Sequence, residues 1–142
     1  MLTGSCGCGA VRYEVATPFV EMHNCHCSRC RKTHGAAYAT YTQTRADGVR
    51  VTQGADQIRD FASSPMVRRR FCAACGSNLF FAVTAMPERV WVAAGTLDGD
   101  PGIRPGANAF VASQAGWHEL TDGLPRFDEH APLDVEPLAA SR

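Results

Sequence analysis

This sequence has no excess of positive or negative charge. Lysine plus arginine and aspartate plus glutamate number 14 each, so the formal net charge is zero. Proteins that bind nucleic acid usually carry a clear basic excess. Arg68, Arg69 and Arg70 form a short basic run, but a strand there would divide them between its two faces. We therefore expect no nucleic-acid partner.

Long hydrophobic runs are missing as well. Purely apolar runs such as residues 79–83 are far too short to span a bilayer, which takes about 20 apolar residues. The first residues have neither the basic segment nor the apolar segment of a signal peptide. The sequence therefore predicts a soluble, cytoplasmic protein with no membrane partner.

Internal repeats and sustained helical periodicity are also absent. Many short segments with alternating apolar residues are instead separated by turn residues, a pattern that indicates a mainly β fold with at most short helices. We predict strands at 11–15, 19–24, 37–43, 49–52, 57–62, 66–71, 79–83, 89–94 and 108–113. At 142 residues the chain suits one domain, 1–142, with an extended or mobile tail from about 125 to 142.

Cysteine, in contrast, is abundant, and the seven cysteines are grouped. They form a C-x-C pair at Cys6 and Cys8, a C-x-C-x-x-C set at Cys25, Cys27 and Cys30, and a C-x-x-C pair at Cys72 and Cys75. An odd number of cysteines without a secretory signal argues against a disulfide framework. These spacings are typical of metal ligands.

The seven thiols divide into a closed set of four and an open set of three. A structural zinc takes four ligands, whereas a catalytic zinc takes three and leaves one position for water or substrate. The closed set joins Cys6, Cys8, Cys72 and Cys75, and the open set is Cys25, Cys27 and Cys30. The alternative is a second structural site closed by His23, His26 or His34. For His26 this is doubtful, because an extended chain from 25 to 27 would point its ring away from the metal.

The open set is expected at the junction of a strand and a helix. The strand period of two places the thiols of Cys25 and Cys27 on one face. Ser28 can cap a short helix that Gly35 ends, and Cys30 would then lie in its first turn, where backbone N–H groups favour a thiolate.

Three cations, Arg29, Arg31 and Lys32, flank the open set. They could receive a carboxylate-bearing substrate, since arginine suits bidentate carboxylate recognition. The alternative is a solvated helix face. Among the aromatic residues, Trp117 is the candidate for a pocket wall, while the expected core residues are Tyr38, Phe80, Phe81 and Trp91.

Several linked motifs make the chain resemble the family of glutathione-dependent formaldehyde-activating enzymes, which also includes centromere protein V. The motifs run from Gly4 to about Phe127 and read GSCGCGAVRYEV, NCHCSRCRKTHGAAY, FCAACGSNLF, GTLD and SQAGWHELTDGLPRF. The resemblance implies a β-tent of antiparallel sheets with a zinc-ribbon-like metal site. It also implies two zinc ions per chain, one structural in the closed set and one catalytic in the open set. Gly7, Asn108 and Gln114 depart from the usual histidine, histidine and lysine of this family.

The resemblance predicts a zinc-dependent carbon–sulfur lyase. Its substrate would be an adduct of glutathione, or of another thiol, with an aldehyde, such as S-hydroxymethylglutathione. The alternative is a non-catalytic zinc module that binds glutathione, another thiol or a protein partner. Thiol–disulfide exchange through Cys72 and Cys75 is a weaker hypothesis, because both are better used as metal ligands. The sequence leaves the oligomeric state open, a homo-oligomer included.

Overall fold

Ten β-strands and one short α-helix form the part of the chain that this computed structural model describes, residues 1–132. The strands are β1 (Leu2–Ser5), β2 (Arg12–Val15), β3 (Glu21–Cys25), β4 (Ala39–Arg45), β5 (Val49–Gln53), β6 (Ile58–Ser64), β7 (Val67–Cys72), β8 (Asn78–Val83), β9 (Arg89–Ala93) and β10 (Ala107–Ala109). The helix, α1 (Ser28–His34), connects β3 to β4. The predicted mainly β fold is confirmed. Within the described part, no helix has the length and apolarity needed to cross a membrane.

The strands form two sheets. The small sheet has the order β1-β2-β5, and the large one has the order β10-β3-β4-β9-β8-β7-β6. Neighbouring strands are antiparallel except β10, which pairs parallel to β3 from Ala107, opposite His23, to Ala109, opposite Cys25. This parallel pair brings residues distant in the chain to the end of β3, where the open thiol set begins.

Eight of the nine predicted strands form with bounds shifted by no more than two residues. The prediction for 108–113 is wrong in extent, since β10 ends at Ala109 and a 3-10 turn covers 111–113. The left-handed backbone of Phe110, with φ 57°, ends the strand. β1 was not predicted, because its sequence LTGS lacks the alternating apolar pattern of a half-buried strand.

The large sheet buries a hydrophobic cluster on each face. Between the two sheets lie Cys6, Val11, Tyr13, Val15, Cys72, Leu79, Phe80, Val90 and Val92. The opposite face carries Cys30, Ala39, Tyr41, Trp91 and Ala93, with Phe81 packed against them. The strand period explains this division, since Phe80 and Phe81 point to opposite faces. Each thiol set therefore adjoins its own apolar cluster.

The first part of the predicted tail packs against β10. The backbone N–H of Asn108 donates to the carbonyl of Pro125 (2.8 Å), and the N–H of Phe127 donates back to Asn108 (2.9 Å). Ala131 is buried against β10. The rest of the predicted tail, 133–142, lies outside the described residues.

Candidate metal centres and functional site

The closed set is assembled from two distant parts of the chain. Cys6 and Cys8 lie in the loop after β1, Cys72 ends β7, and Cys75 lies in the turn before β8. The four sulfurs all lie within 4.8 Å of one another, close enough to hold one metal ion. Gly76 takes φ 79° in this turn, as its position after the C-x-x-C pair predicts.

Hydrogen bonds support the thiolate form of two members of the closed set, Cys6 and Cys75. The backbone N–H of Val11 donates to the Cys6 sulfur at 3.3 Å. The Ser77 hydroxyl lies 3.2 Å from the Cys75 sulfur and accepts the N–H of Gly7 at 2.9 Å. With its oxygen accepting from Gly7, this hydroxyl is free to donate to sulfur. Hydrogen bonds from Ser77 lower the pKa of Cys75 to about 5.

The open set lies where β3 passes into α1. The sulfurs of Cys25, Cys27 and Cys30 also lie within 4.8 Å of one another. Cys27, and not Ser28 as predicted, is the N-cap, since its sulfur accepts the N–H of Cys30 at 3.3 Å. A thiol that already points at the free N–H groups of the helix takes the role usually given to a hydroxyl. As predicted, Cys30 lies in the first turn and Gly35 ends the helix, with φ 59°.

Crowding makes the three thiols of the open set share their protons unequally. Hydrogen bonds, first from Cys25 and then from Cys30, lower the pKa of Cys27 to about 2. Cys25 is the hydrogen-bond donor to Cys27 and Cys30, and these two contacts raise its pKa above the usual range. Without a cation, one sulfur is therefore favoured as the thiolate that accepts hydrogen bonds. A divalent ion would replace the remaining protons and let all three ionise.

No histidine nitrogen in residues 1–132 joins either thiol set. His34 is engaged instead with Tyr41, whose hydroxyl lies 2.6 Å from His34 Nε2. His26 is fully buried and points towards Asn108 rather than the sulfurs, as the strand period predicts. The arrangement therefore disfavours the alternative of a second site closed by histidine.

Sequence reasoning missed Arg69. It lies on β7, is only 7% exposed, and directs its guanidinium at the open set. Its Nη2 donates to the Cys30 sulfur at 3.5 Å, Nη1 donates to the Tyr41 hydroxyl at 3.5 Å, and Nε donates to the Ser63 hydroxyl at 3.1 Å. The signal was present in the alternation of Arg68, Arg69 and Arg70, but nothing local showed which face was inward.

A buried polar chain on the other side of β3 was also missed. Asn108 Nδ2 donates to both carboxylate oxygens of Asp122 (3.1 and 3.0 Å), so its Oδ1 is left to accept from His26 Nε2 at 2.8 Å. The Asn108 hydrogen bond, with a second one from Leu124, holds the pKa of Asp122 below its ordinary value. His26 lies between Cys25 and Cys27 in the sequence. These hydrogen bonds therefore fix the backbone that presents two of the three thiols.

The three predicted cations have different surroundings. Arg29 is exposed, and Arg31 Nε donates to the carbonyl of Ser113 at 3.1 Å. Lys32 is exposed at the edge of a cleft of about 310 Å³. The cleft is lined by Lys32, Thr33, Phe61, Arg69, Phe71 and Asn78. Arg69 therefore lines this cleft and also contacts the open set through Cys30.

A second cleft, of about 520 Å³, lies between the end of α1 and the turn that carries Cys75. Trp117 lines neither of these clefts and is 76% exposed, so the structure does not support its predicted role as a pocket wall. The expected core residues Phe80 and Trp91 are buried, while Tyr38 and Phe81 are half-buried.

These features define a mainly β protein with two cysteine sites, each able to hold a metal ion. The chain belongs to the family described as glutathione-dependent formaldehyde-activating enzyme, which it matches over residues 1–113.

The chain is also similar to individual proteins of known sequence or structure. A Halomonas elongata protein named for glutathione-dependent formaldehyde activation is 39% identical over 129 residues, or 84% of this chain and 81% of that protein. A Schizosaccharomyces pombe protein described as an uncharacterised lyase is 28% identical over 81 residues, 57% of each chain. A crystal structure of a Rhodobacter sphaeroides protein has a TM-score of 0.60 at 29% identity, covering 69% of this chain and 89% of that one.

Proposed function

We propose that each thiol set binds one zinc ion, and that the open set belongs to a carbon–sulfur lyase acting on a thiol–aldehyde adduct. Thiolate donors suit zinc, and three or four of them converge at each site. A zinc ion in the closed set would have a structural role, because it would join the loop after β1 to the end of β7. The observation that carries the catalytic assignment is a three-thiol set without a fourth protein ligand among residues 1–132.

Bound zinc would supply the Lewis acidity that keeps a sulfur deprotonated at neutral pH. Cys25, Cys27 and Cys30 would hold that ion, with the helix N-terminus and the guanidinium of Arg69 favouring their ionised form. The fixed thiol set orients the adduct, so that its carbon–sulfur bond breaks in one defined geometry.

In the proposed reaction the hydroxyl of the adduct loses its proton to solvent as its oxygen forms the carbonyl. The carbon–sulfur bond breaks, its electron pair remains on sulfur, and the aldehyde leaves. The reverse direction forms the adduct from thiolate and aldehyde. Glutathione is the thiol we propose, and the cleft beside Arg69 would receive its peptide portion. Lys32 at this cleft suits a carboxylate, whereas Arg31 Nε and Asn78 Nδ2 already donate to the carbonyls of Ser113 and Thr33.

An exchange assay between formaldehyde and glutathione tests this function. Thiols add to formaldehyde without a catalyst, so the uncatalysed rate is the reference. We expect wild type to exceed that rate and Cys27→Ser to fall to it while remaining folded. Ser28→Ala is the matched control, since Ser28 is the exposed neighbour of Cys27 and lies outside both thiol sets. If wild type only matches the uncatalysed rate, the lyase proposal fails and a thiol-binding module remains.

The hypothesis of thiol–disulfide exchange through Cys72 and Cys75 is less well supported than the lyase proposal. Cys72 is fully buried, and both sulfurs belong to the closed set. We also propose that 1–142 is one domain. The cytoplasmic location stays a prediction, and the oligomeric state stays open.

A further inference from the structure

Arg69 is a buried cation whose counter-ion is not a carboxylate. Its guanidinium is held by two neutral hydroxyls, of Ser63 and Tyr41, and by the Cys30 sulfur. None of the ion pairs found in residues 1–132 involves Arg69, whereas its neighbour Arg70 pairs with Asp60 at 3.3 Å. A buried charge without a partner is strongly destabilising. The open thiol set is the anion that compensates it.

The contact with Tyr41 does not cancel this charge. A guanidinium can only donate, so the Tyr41 oxygen accepts from Arg69 and its O–H is free to donate to His34 Nε2. Burial raises the pKa of Tyr41 well above its usual range, which keeps the phenol protonated. Burial likewise lowers the pKa of His34, with Arg69 acting in the same direction, so the ring favours its neutral form. The positive charge remains available to the sulfurs.

Aromatic packing fixes the guanidinium in place. Its carbon lies 5.7 Å from the centre of the Phe81 ring, and that ring stacks on Trp91 with centres 4.8 Å apart. The guanidinium is therefore packed against the Phe81 ring while it contacts the Cys30 sulfur, which keeps its charge beside the open set.

Charge arithmetic shows what this placement does. Three thiolates and one divalent ion carry a formal charge of −1, and Arg69 brings the site to zero. A fourth thiolate then takes the site to −1, where it would otherwise reach −2. We propose that Arg69 is the built-in counter-ion of the open set, a positioning residue that allows an anionic thiolate at the open position. This inference rests on the proposed function, because it assumes a metal ion and a thiol ligand there.

Thiol titration of the cobalt-loaded protein tests the inference, with sulfur-to-cobalt charge-transfer absorption as the readout. The probe is 2-mercaptoethanol, which has no carboxylate, so a loss of affinity cannot come from carboxylate recognition. We expect Arg69→Met to weaken thiol binding by about tenfold or more, the lower end of effects seen when partners of metal ligands are removed. Arg69→Lys keeps the charge and should lose less. Arg68→Met, an exposed arginine on the same strand, should bind as wild type does.

Thermal unfolding and a cobalt content of two ions per chain would show that each variant is folded and loaded. Equal thiol affinity in wild type, Arg69→Met and Arg68→Met would overturn the inference. Should Arg69→Met fail to fold, Arg69→Lys and Arg69→Gln decide it: the inference requires the lysine variant to bind the thiol more tightly, and equal affinities refute it. A wild-type spectrum that does not respond to thiol would contradict the proposed function. Competition for cobalt would then still test Arg69, since loss of its charge must weaken binding to the open set.

Discussion

Replacing Asn108 with alanine should destabilise the protein and loosen the open thiol set. Asn108 is fully buried, and its amide joins His26 to Asp122. The substitution leaves the buried Nε2–H of His26 without an acceptor, which costs about 1–3 kcal/mol. Loss of the bond to the carboxylate adds about 1 kcal/mol, because Asp122 is exposed and water replaces the amide there. The expected total is about 2–4 kcal/mol.

Thermal unfolding at a fixed, saturating zinc concentration measures this loss. For a chain of this length, 1 kcal/mol corresponds to about 3 °C, so the midpoint should fall by about 6–12 °C. Asp122→Ala is the matched control. It removes the hydrogen bonds between Asn108 and Asp122 but leaves Asn108 to accept from His26. Its shift should be smaller, because Asp122 is exposed and its removal lets water reach the Asn108 amide in place of the carboxylate.

Two further measurements distinguish the loss of the Asn108 hydrogen bonds from a general loss of packing. The hydrogen bond from Asn108 is the largest cause of the depressed Asp122 pKa, so in Asn108→Ala that pKa should rise towards its ordinary value of 3.8, as followed by carbon NMR. Zinc affinity of the open set should also fall, since His26 lies between the ligands Cys25 and Cys27. An unchanged midpoint, or an equal shift in Asp122→Ala, would refute the reasoning.

Two substitutions test other parts of the structure. Cys75→Ser should lower the unfolding midpoint more than Cys27→Ser does, since the closed set joins distant segments and the open set joins neighbouring ones; equal shifts would contradict the structural role of the closed set. Gly4→Ala places a methyl group against the buried ring of Tyr13, with an expected cost of about 1–3 kcal/mol in chemical denaturation. Gly95→Ala, where an added methyl group meets nothing within 4 Å, should change stability little, and similar losses in the two variants would argue against the packing described here.

The sequence predicted the parts of the site that depend on local spacing. Cys25, Cys27 and Cys30 fall within six residues, so strand and helix geometry alone bring their sulfurs together. The partition of the seven thiols followed from counting ligands. The cap was misassigned to Ser28 because hydroxyls usually fill that position, whereas here the thiol of Cys27 does.

The rest depends on contacts between distant residues. Arg69 and Cys30 are 39 residues apart, and His26 and Asn108 are 82 apart. The first pair requires the register of β7 in the large sheet, and the second requires the parallel pairing of β10 with β3. Alternation along a strand predicts that one of three arginines turns inward, but only the sheet register shows that it is Arg69.

An anomalous-scattering map of the zinc-loaded crystal, measured at the zinc absorption edge, tests the central claim most directly. We predict two zinc peaks per chain, one among Cys6, Cys8, Cys72 and Cys75, and one among Cys25, Cys27 and Cys30. The second ion should have three sulfur ligands from the protein and a non-protein fourth ligand. A single peak, or a second ion closed by a histidine nitrogen, would contradict the account.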